Sequence, residues 1–179
     1  MASDQQKAQV RAQSERPLAV EELYMEHHEH IFRFIWSRVH DAEQAEDLTG
    51  EVFIRMVSSL STYKDISLPF RAWLYRIARN LIIDHHRKES SVTVLADLVD
   101  PSTTQPSVEE RAENTLTLGQ VQRALQKIDP EQREVVELRF LGELSLEEVS
   151  LVMNKSIPAV KALQHRGLAS LRAHLKEFE

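Results

Sequence analysis

The sequence predicts an all-α protein, built as two small helical domains joined by a flexible linker. Only 4 Gly and 6 Pro punctuate its 179 residues, which is too few for the turns of a β-sandwich. Apolar residues recur every three or four positions over most of the chain, as in amphipathic helices. Between Asp97 and Ser107 this periodicity gives way to Pro, Ser, Thr and Asp, which indicates a domain boundary.

Three helices are predicted before this boundary. The first runs from about residue 20 to residue 40, because its apolar residues fall on one helical face. Asp41 can cap the second helix, with Gln44 reaching back from the third position as in a capping box. Pro69 can open a third helix that continues to about Lys88, since proline is favoured in the first turn.

Four helices are predicted after the boundary, and three of their starts carry capping chemistry. Capping boxes begin at Ser107 and at Ser145, each with Glu three residues later. Asp129 precedes Pro130, which places proline at the first helical position. The last helix begins near Ser156.

The expected domain organisation follows from these elements. Residues 1–16 are predicted to be a disordered tail, 17–88 the first domain, 89–106 the linker and 107–179 the second domain.

The composition excludes several classes of protein. The chain has no Cys, which excludes disulfides, thiolate catalysis and Cys-ligated metal sites. No apolar run approaches the roughly 18 residues of a membrane span, and no signal-peptide segment is recognisable near Met1. We therefore expect a cytoplasmic protein that does not insert into a membrane.

The charge is unevenly distributed, although the net charge is −6. Residues 155–176 carry five basic residues and no acid, and residues 69–88 carry five basic residues and one acid. Residues 41–51 carry five acids and no Lys or Arg. One basic helix in each domain favours a nucleic-acid partner over two ordinary solvated helix faces.

Residues 145–175 have the pattern of a helix-turn-helix. A short helix from Leu146 to Met153 is followed by Asn154 and Lys155 and then by a basic helix. Asn tolerates the left-handed conformation that such a turn needs. In DNA-binding proteins the second helix of this motif enters the major groove by its N-terminal end. A helical hairpin that serves packing alone is the alternative interpretation.

Three segments resemble the extracytoplasmic-function group of bacterial RNA polymerase sigma factors. Residues 45–56 are similar to the family's polymerase-binding helix, and residues 70–88 match its promoter-melting region almost position by position. Residues 138–166 resemble its terminal helix-turn-helix.

The resemblance implies a set of residues on the second helix that bind the β′ clamp helices of core polymerase. Asp47 and Glu51 lie one turn apart and present two carboxylates on one helical face. Gly50 stands where the family usually has Gln. The implied polymerase-binding residues are Asp47, Leu48, Glu51, Val52 and Phe53.

The resemblance also implies two sets of promoter contacts. The loop at residues 62–69 and the helix after it capture melted bases of the −10 element, and Tyr63 could stack on one of them. The apolar residues of that helix, Trp73, Leu74 and Ile77, are expected in the core. Contacts to the −10 element are implied for Tyr63, Lys64, Arg71, Arg76, Arg79 and Asn80, and contacts to the −35 element for Lys155, Ser156, Ile157, Lys161, Ala162, His165 and Arg166.

The partners that the resemblance implies are core RNA polymerase (its β′ clamp helices and β flap), promoter DNA and an anti-sigma factor. Two other classes of function are the alternatives. A helix-turn-helix regulator that acts without polymerase needs neither residues 70–88 nor the Asp47 and Glu51 pair. An enzyme would have to use histidines such as His27 and His30, which lack a third metal ligand. No catalytic residue, cofactor or metal is predicted.

Overall fold

The computed structural model describes residues 16–63, 68–96 and 112–178, and within these ranges it contains helices and no strand. The prediction of an all-α fold is therefore confirmed. The helices are α1 (Arg16–Val39), α2 (Ala42–Ser59), α3 (Phe70–Ala96), α4 (Ala112–Lys127), α5 (Pro130–Phe140), α6 (Leu146–Met153) and α7 (Ile157–Leu175), followed by a 3-10 turn (Lys176–Phe178).

Two helix boundaries differ from the prediction. Helix α1 begins at Arg16, and α3 continues to Ala96 through residues that were assigned to the linker. The extension of α3 has a simple cause, because no Gly or Pro interrupts the chain between Pro69 and Pro101. The predicted capping box at Ser107 lies outside the described residues, as do residues 1–15 of the predicted tail and residues 97–106 of the linker.

The other predicted N-caps form, although at Asp41 only the bond from the Gln44 N–H is observed and not the reciprocal one from the Gln44 side chain. The Asp41 carboxylate accepts a hydrogen bond from the Gln44 N–H at 2.8 Å. Asp129 accepts from two backbone N–H groups at the start of α5. Ser145 and Glu148 bond each other reciprocally, at 2.7 and 3.1 Å, in a complete capping box. These bonds satisfy N–H groups that a helix start leaves without partners.

The helix-turn-helix also forms as predicted. Asn154 adopts φ 53° and ψ 47°, the left-handed conformation that turns the chain between α6 and α7. The apolar residues between the two helices are buried and fix their crossing, namely Val149, Val152, Val160 and Leu163.

The two groups of helices, α1–α3 and α4–α7, pack against each other and share one buried apolar cluster. At its centre, the Tyr75 ring of α3 meets the Phe34 ring at 5.3 Å between centroids. The same Tyr75 ring lies against Gly142, where an added Cβ would come within 2.9 Å of it. A side chain at Gly142 would therefore force the two groups apart.

Candidate functional site

The acidic face of α2 is presented to solvent. Asp47 and Gly50 are exposed, and Glu51 forms an ion pair with Arg55 at 2.8 Å. That pair lies at the surface, so it contributes little to stability and leaves Glu51 available to a partner. The two carboxylates predicted to contact polymerase therefore lie on an accessible surface.

Two of the residues predicted to bind polymerase do not share this surface. Val52 is 0% exposed and Phe53 is 6% exposed, because both belong to the core between α2 and its neighbours. In this conformation neither side chain is accessible to a partner, and the polymerase contact of Val52 and Phe53 stays a prediction. Leu48 is half-buried at the edge of the same core.

The accessible apolar residues of α2 are ones that sequence reasoning missed. Ile54 is 62% exposed and Val57 is 49% exposed. Ile54 follows Asp47 by seven residues, and this spacing returns to the same helical face. The seven-residue spacing from Asp47 is the feature of the sequence that could have identified Ile54. Asp47, Glu51 and Ile54 together form a face that combines an exposed apolar side chain with charged neighbours, as is typical of protein interfaces.

Gly50 gives a stability prediction for this helix. An added Cβ at Gly50 would meet no atom within 4 Å, so Gly50→Ala is expected to stabilise the protein by about 1 kcal/mol through helix propensity alone. Urea unfolding followed by circular dichroism measures the change. Gly142→Ala is the contrasting variant, and it is expected to destabilise because its Cβ would meet the Tyr75 ring. A loss of stability in Gly50→Ala would contradict the finding that the space beside Gly50 on α2 can accept a methyl group.

The loop before α3 holds Tyr63 in a buried position. Tyr63 is 8% exposed, its ring lies 4.6 Å from that of Trp73, and its hydroxyl donates to the Leu68 carbonyl at 2.7 Å. Tyr63 would have to leave this packing to stack on a base. Lys64 lies outside the described residues.

Helix α3 presents its polar residues on two different faces. Arg76 and Asn80 are exposed on the outer face, one turn apart. Arg71 and Arg79 instead point toward the second group of helices. The burial of Trp73 and Leu74 confirms the prediction that they are core residues, and Ile77 is half-buried.

Arg71 and Arg79 are engaged by residues of the second group. Arg79 donates to both carboxylate oxygens of Glu134, at 2.7 and 3.3 Å. Arg71 Nη2 donates to the carbonyl oxygens of Gly142 and Glu143, at 2.8 and 2.9 Å. Both arginines are thus held within the protein in this conformation.

A second acidic side chain extends this interface. Glu137 is fully buried and accepts a hydrogen bond from Arg38 of α1. Burial raises the pKa of Glu137 to about 7, against the opposing effect of the Arg38 guanidinium. Arg38 also lies 3.6 Å from Glu134, so Glu134 and Glu137 together face two arginines of the first group.

The N-terminal end of α7 forms the third surface. The Ser156 hydroxyl caps the helix by accepting from the Ala159 N–H, and Ile157 is half-buried. Lys155 pairs with Glu131 at 2.9 Å. The remaining predicted residues are exposed along one side of the helix, namely Lys161, Ala162, His165 and Arg166.

The histidines of α1 have an ordinary structural environment. His27 is buried against Phe70, and burial lowers the pKa of its imidazole. The residues that the structure describes include no group of three His, Asp or Glu side chains placed to hold a metal ion. Within the same residues, no helix is long and apolar enough to cross a membrane.

Two family models and several known proteins are similar to this chain. The family model of Sigma-70 region 2 matches residues 23–92, and that of Sigma-70 region 4 matches residues 124–173. The ECF RNA polymerase sigma factor BldN of Streptomyces coelicolor is 35% identical over 164 residues, which are 90% of this chain and 62% of BldN. The chain therefore spans less than two thirds of that relative's length.

A second relative and a solved structure cover the chain more evenly. The ECF RNA polymerase sigma factor SigX of Bacillus subtilis is 33% identical over 160 residues, which are 86% of this chain and 82% of SigX. The structure of CnrH in complex with the cytosolic domain of CnrY superimposes with a TM-score of 0.72 at 26% identity, over 96% of this chain and 97% of CnrH. The chain belongs to the extracytoplasmic-function group of RNA polymerase sigma factors.

Proposed function

We propose that this sigma factor docks on core RNA polymerase through the α2 face formed by Asp47, Glu51 and Ile54, and directs it to promoters. The observation that carries the proposal is that this acidic face and the N-terminal end of α7 are both accessible on separate helices. One surface is suited to a basic protein partner and the other to DNA. Sigma factors in general are initiation factors rather than enzymes, so no reaction is assigned.

Helix α3 is proposed to bind the separated strands of the −10 element. Arg76 and Asn80 support this role because they are exposed in the present conformation. Arg71 and Arg79 are assigned to the phosphates of the same strand, as cations that contribute affinity rather than sequence preference. The base-stacking role of Tyr63 stays a prediction that requires the loop to rearrange.

Helix α7 is proposed to read the −35 element. Lys161 and His165 are one turn apart on its exposed side and can reach base edges in the major groove. Lys155 and Ser156 suit phosphates, because the helix N-terminus adds favourable backbone dipoles, and Arg166 suits a phosphate as an exposed cation farther along the helix.

A protein that restrains the sigma factor is a further proposed partner. CnrH was solved in complex with the cytosolic domain of CnrY, and this supports a protein partner for this chain as well, of the anti-sigma kind that the family resemblance implies. A protein that acts with core polymerase on promoter DNA does so in the cytoplasm, and this is the location proposed for the chain.

The proposed function is tested by asking whether specific promoter binding requires core polymerase. We expect the isolated protein to bind promoter fragments weakly, because a net charge of −6 and two short basic helices give weak, salt-sensitive attraction. Adding core polymerase should produce specific footprints and new transcript starts on genomic DNA. A specific footprint by the isolated protein at physiological salt would instead favour a regulator that acts without polymerase.

A further inference from the structure

A cavity of about 190 Å³ is lined by residues of α1, of α3 and of the turn after α5. We call it the α1–α3 cavity, and its lining consists of Glu26, His27, His30, Arg71, Tyr75 and Glu143. Each of these side chains carries a polar group, which sets the cavity apart from the apolar core beside it. An apolar cavity of about 150 Å³ holds benzene, so the α1–α3 cavity has room for a small organic molecule.

Two polar atoms of this lining have no hydrogen-bond partner among the residues that the structure describes. Tyr75 is 2% exposed, and its hydroxyl bonds to no other group there. The Nδ1 atom of His30 is buried and equally without a partner. Buried polar groups are nearly always hydrogen-bonded, because losing water without gaining a partner costs free energy. Both atoms are therefore placed to bond a polar molecule in the cavity.

Arg71 brings unused donors to the same cavity. Its bonds to the carbonyls of Gly142 and Glu143 both come from Nη2. A guanidinium has five N–H groups, so those on Nε and Nη1 stay available to another acceptor. Burial raises the pKa of the Tyr75 hydroxyl and the nearby Arg71 charge opposes the rise, so this hydroxyl keeps its proton at neutral pH. A carboxylate is the acceptor that suits a guanidinium and a hydroxyl together.

Two carboxylates lie at the mouth of the cavity. Glu26 of α1 and Glu143 of the turn both line it and are exposed. Within the described part of the chain, neither forms an ion pair with Arg71. His27 adds little positive charge at neutral pH, since burial lowers the pKa of its imidazole. A cation on α3 and separate carboxylates on α1 and the turn complement a molecule that carries both charges.

We propose that the α1–α3 cavity binds a small zwitterion, namely an α-amino acid with a short side chain. Arg71 and the Tyr75 hydroxyl donate to its carboxylate, and Glu26 and Glu143 attract its ammonium group. His30 Nδ1 accepts from the ammonium group or donates to the carboxylate, according to its tautomer. The site does not depend on the promoter role proposed above for Arg71.

L-Alanine is the probe, because it carries both charges and has as many non-hydrogen atoms as benzene. We expect its titration into the full chain to shift the NMR signals of His27 and His30 saturably, and to leave that of His165 on α7 unchanged. L-Lactate lacks the ammonium group and should bind about two- to fivefold more weakly, the usual effect of one exposed ion pair. Isopropylamine lacks the carboxylate and should bind at least about tenfold more weakly, as for a lost hydrogen bond to a charged group.

The Tyr75→Phe variant distinguishes a ligand contact from a structural role. It removes a buried hydroxyl that has no partner in the described residues, so without ligand it should melt at the same temperature as the unaltered protein or higher. It should nevertheless bind L-alanine at least about tenfold more weakly, because the carboxylate loses a hydrogen bond. Tyr24→Phe, which removes a hydroxyl from a residue outside the cavity lining, is the matched control and should bind L-alanine normally.

Glu26→Gln is a second variant, at an exposed position where folding is not at risk. It should weaken L-alanine binding about two- to fivefold and leave L-lactate binding unchanged. Glu22→Gln, also exposed on α1, should change neither. Absence of a saturable shift with L-alanine would overturn the site, and unchanged binding by Tyr75→Phe would overturn the carboxylate contact. Binding of L-lactate as tight as that of L-alanine would overturn recognition of the ammonium group.

Discussion

Replacement of Asp47 and Glu51 together by alanine is expected to abolish co-purification with core RNA polymerase while the protein stays folded. Both side chains lie on the exposed face of α2, and the one internal ion pair that is lost, Glu51 with Arg55, is at the surface. Removing one member of a charged, hydrogen-bonded pair at an interface costs about 2–5 kcal/mol. A loss of this size for even one of the two carboxylates lowers affinity by roughly 30-fold or more.

The matched control for this variant is Glu22→Ala/Glu29→Ala. It removes two exposed carboxylates from α1, and Glu29 pairs with Arg33 at the i+4 position just as Glu51 pairs with Arg55. Circular dichroism should show equal helicity for both variants. Retention of polymerase by the α2 variant, or equal loss in the α1 control, would show that the docking face has been assigned wrongly.

The helical elements could be predicted because their determinants are local. Asp41, Ser145 and Asn154 act on backbone groups within five residues of themselves, and their conformations in the structure match their expected roles. The end of α3 differs from the prediction because composition was a poorer guide there than the absence of helix-breaking residues. The change in composition after Lys88 predicts a linker, whereas the absence of any Gly or Pro between Pro69 and Pro101 lets the helix continue to Ala96.

The docking surface was only partly predictable. Acidic residues one turn apart indicate the proposed face, whereas Val52 and Phe53 are implied by the resemblance, which carries no information on burial. A helix turns 100° per residue, so Val52 and Phe53, one and two residues after Glu51, fall on the buried side of α2, and Ile54 returns to the exposed side. Periodicity measured from Asp47 would have made this distinction.

Contacts between the two groups of helices had no signal in the sequence. Arg71 and Arg79 are basic residues on a basic helix, and nothing near them in the chain indicates that Glu134 or the Gly142 carbonyl is their partner. Such pairs depend on packing between elements far apart in sequence. For this reason the same arginines could be assigned to DNA from sequence and yet be found bonded within the protein.

The second large effect expected concerns the division of DNA recognition between α7 and α3. On linear duplex promoters bound by polymerase, Lys161→Ala should weaken binding that depends on the −35 element, because the loss of a good base contact costs about 1–3 kcal/mol. Asn80→Ala should instead reduce capture of separated strands. Both side chains are exposed, so neither substitution is expected to disturb the core.

Templates of different form distinguish these two steps. On a short template mismatched open across the −10 element and lacking the −35 segment, Lys161→Ala should behave almost as the unaltered protein. Asn80→Ala should stay defective there, since its proposed partner is the unpaired strand itself. Lys176→Ala, an exposed lysine beyond the end of α7, is the control for loss of a positive charge. Permanganate reactivity of unpaired thymines and transcript yield report the two steps. Equal losses for the Lys161 and Asn80 variants on every template would show that α7 and α3 do not divide recognition in this way.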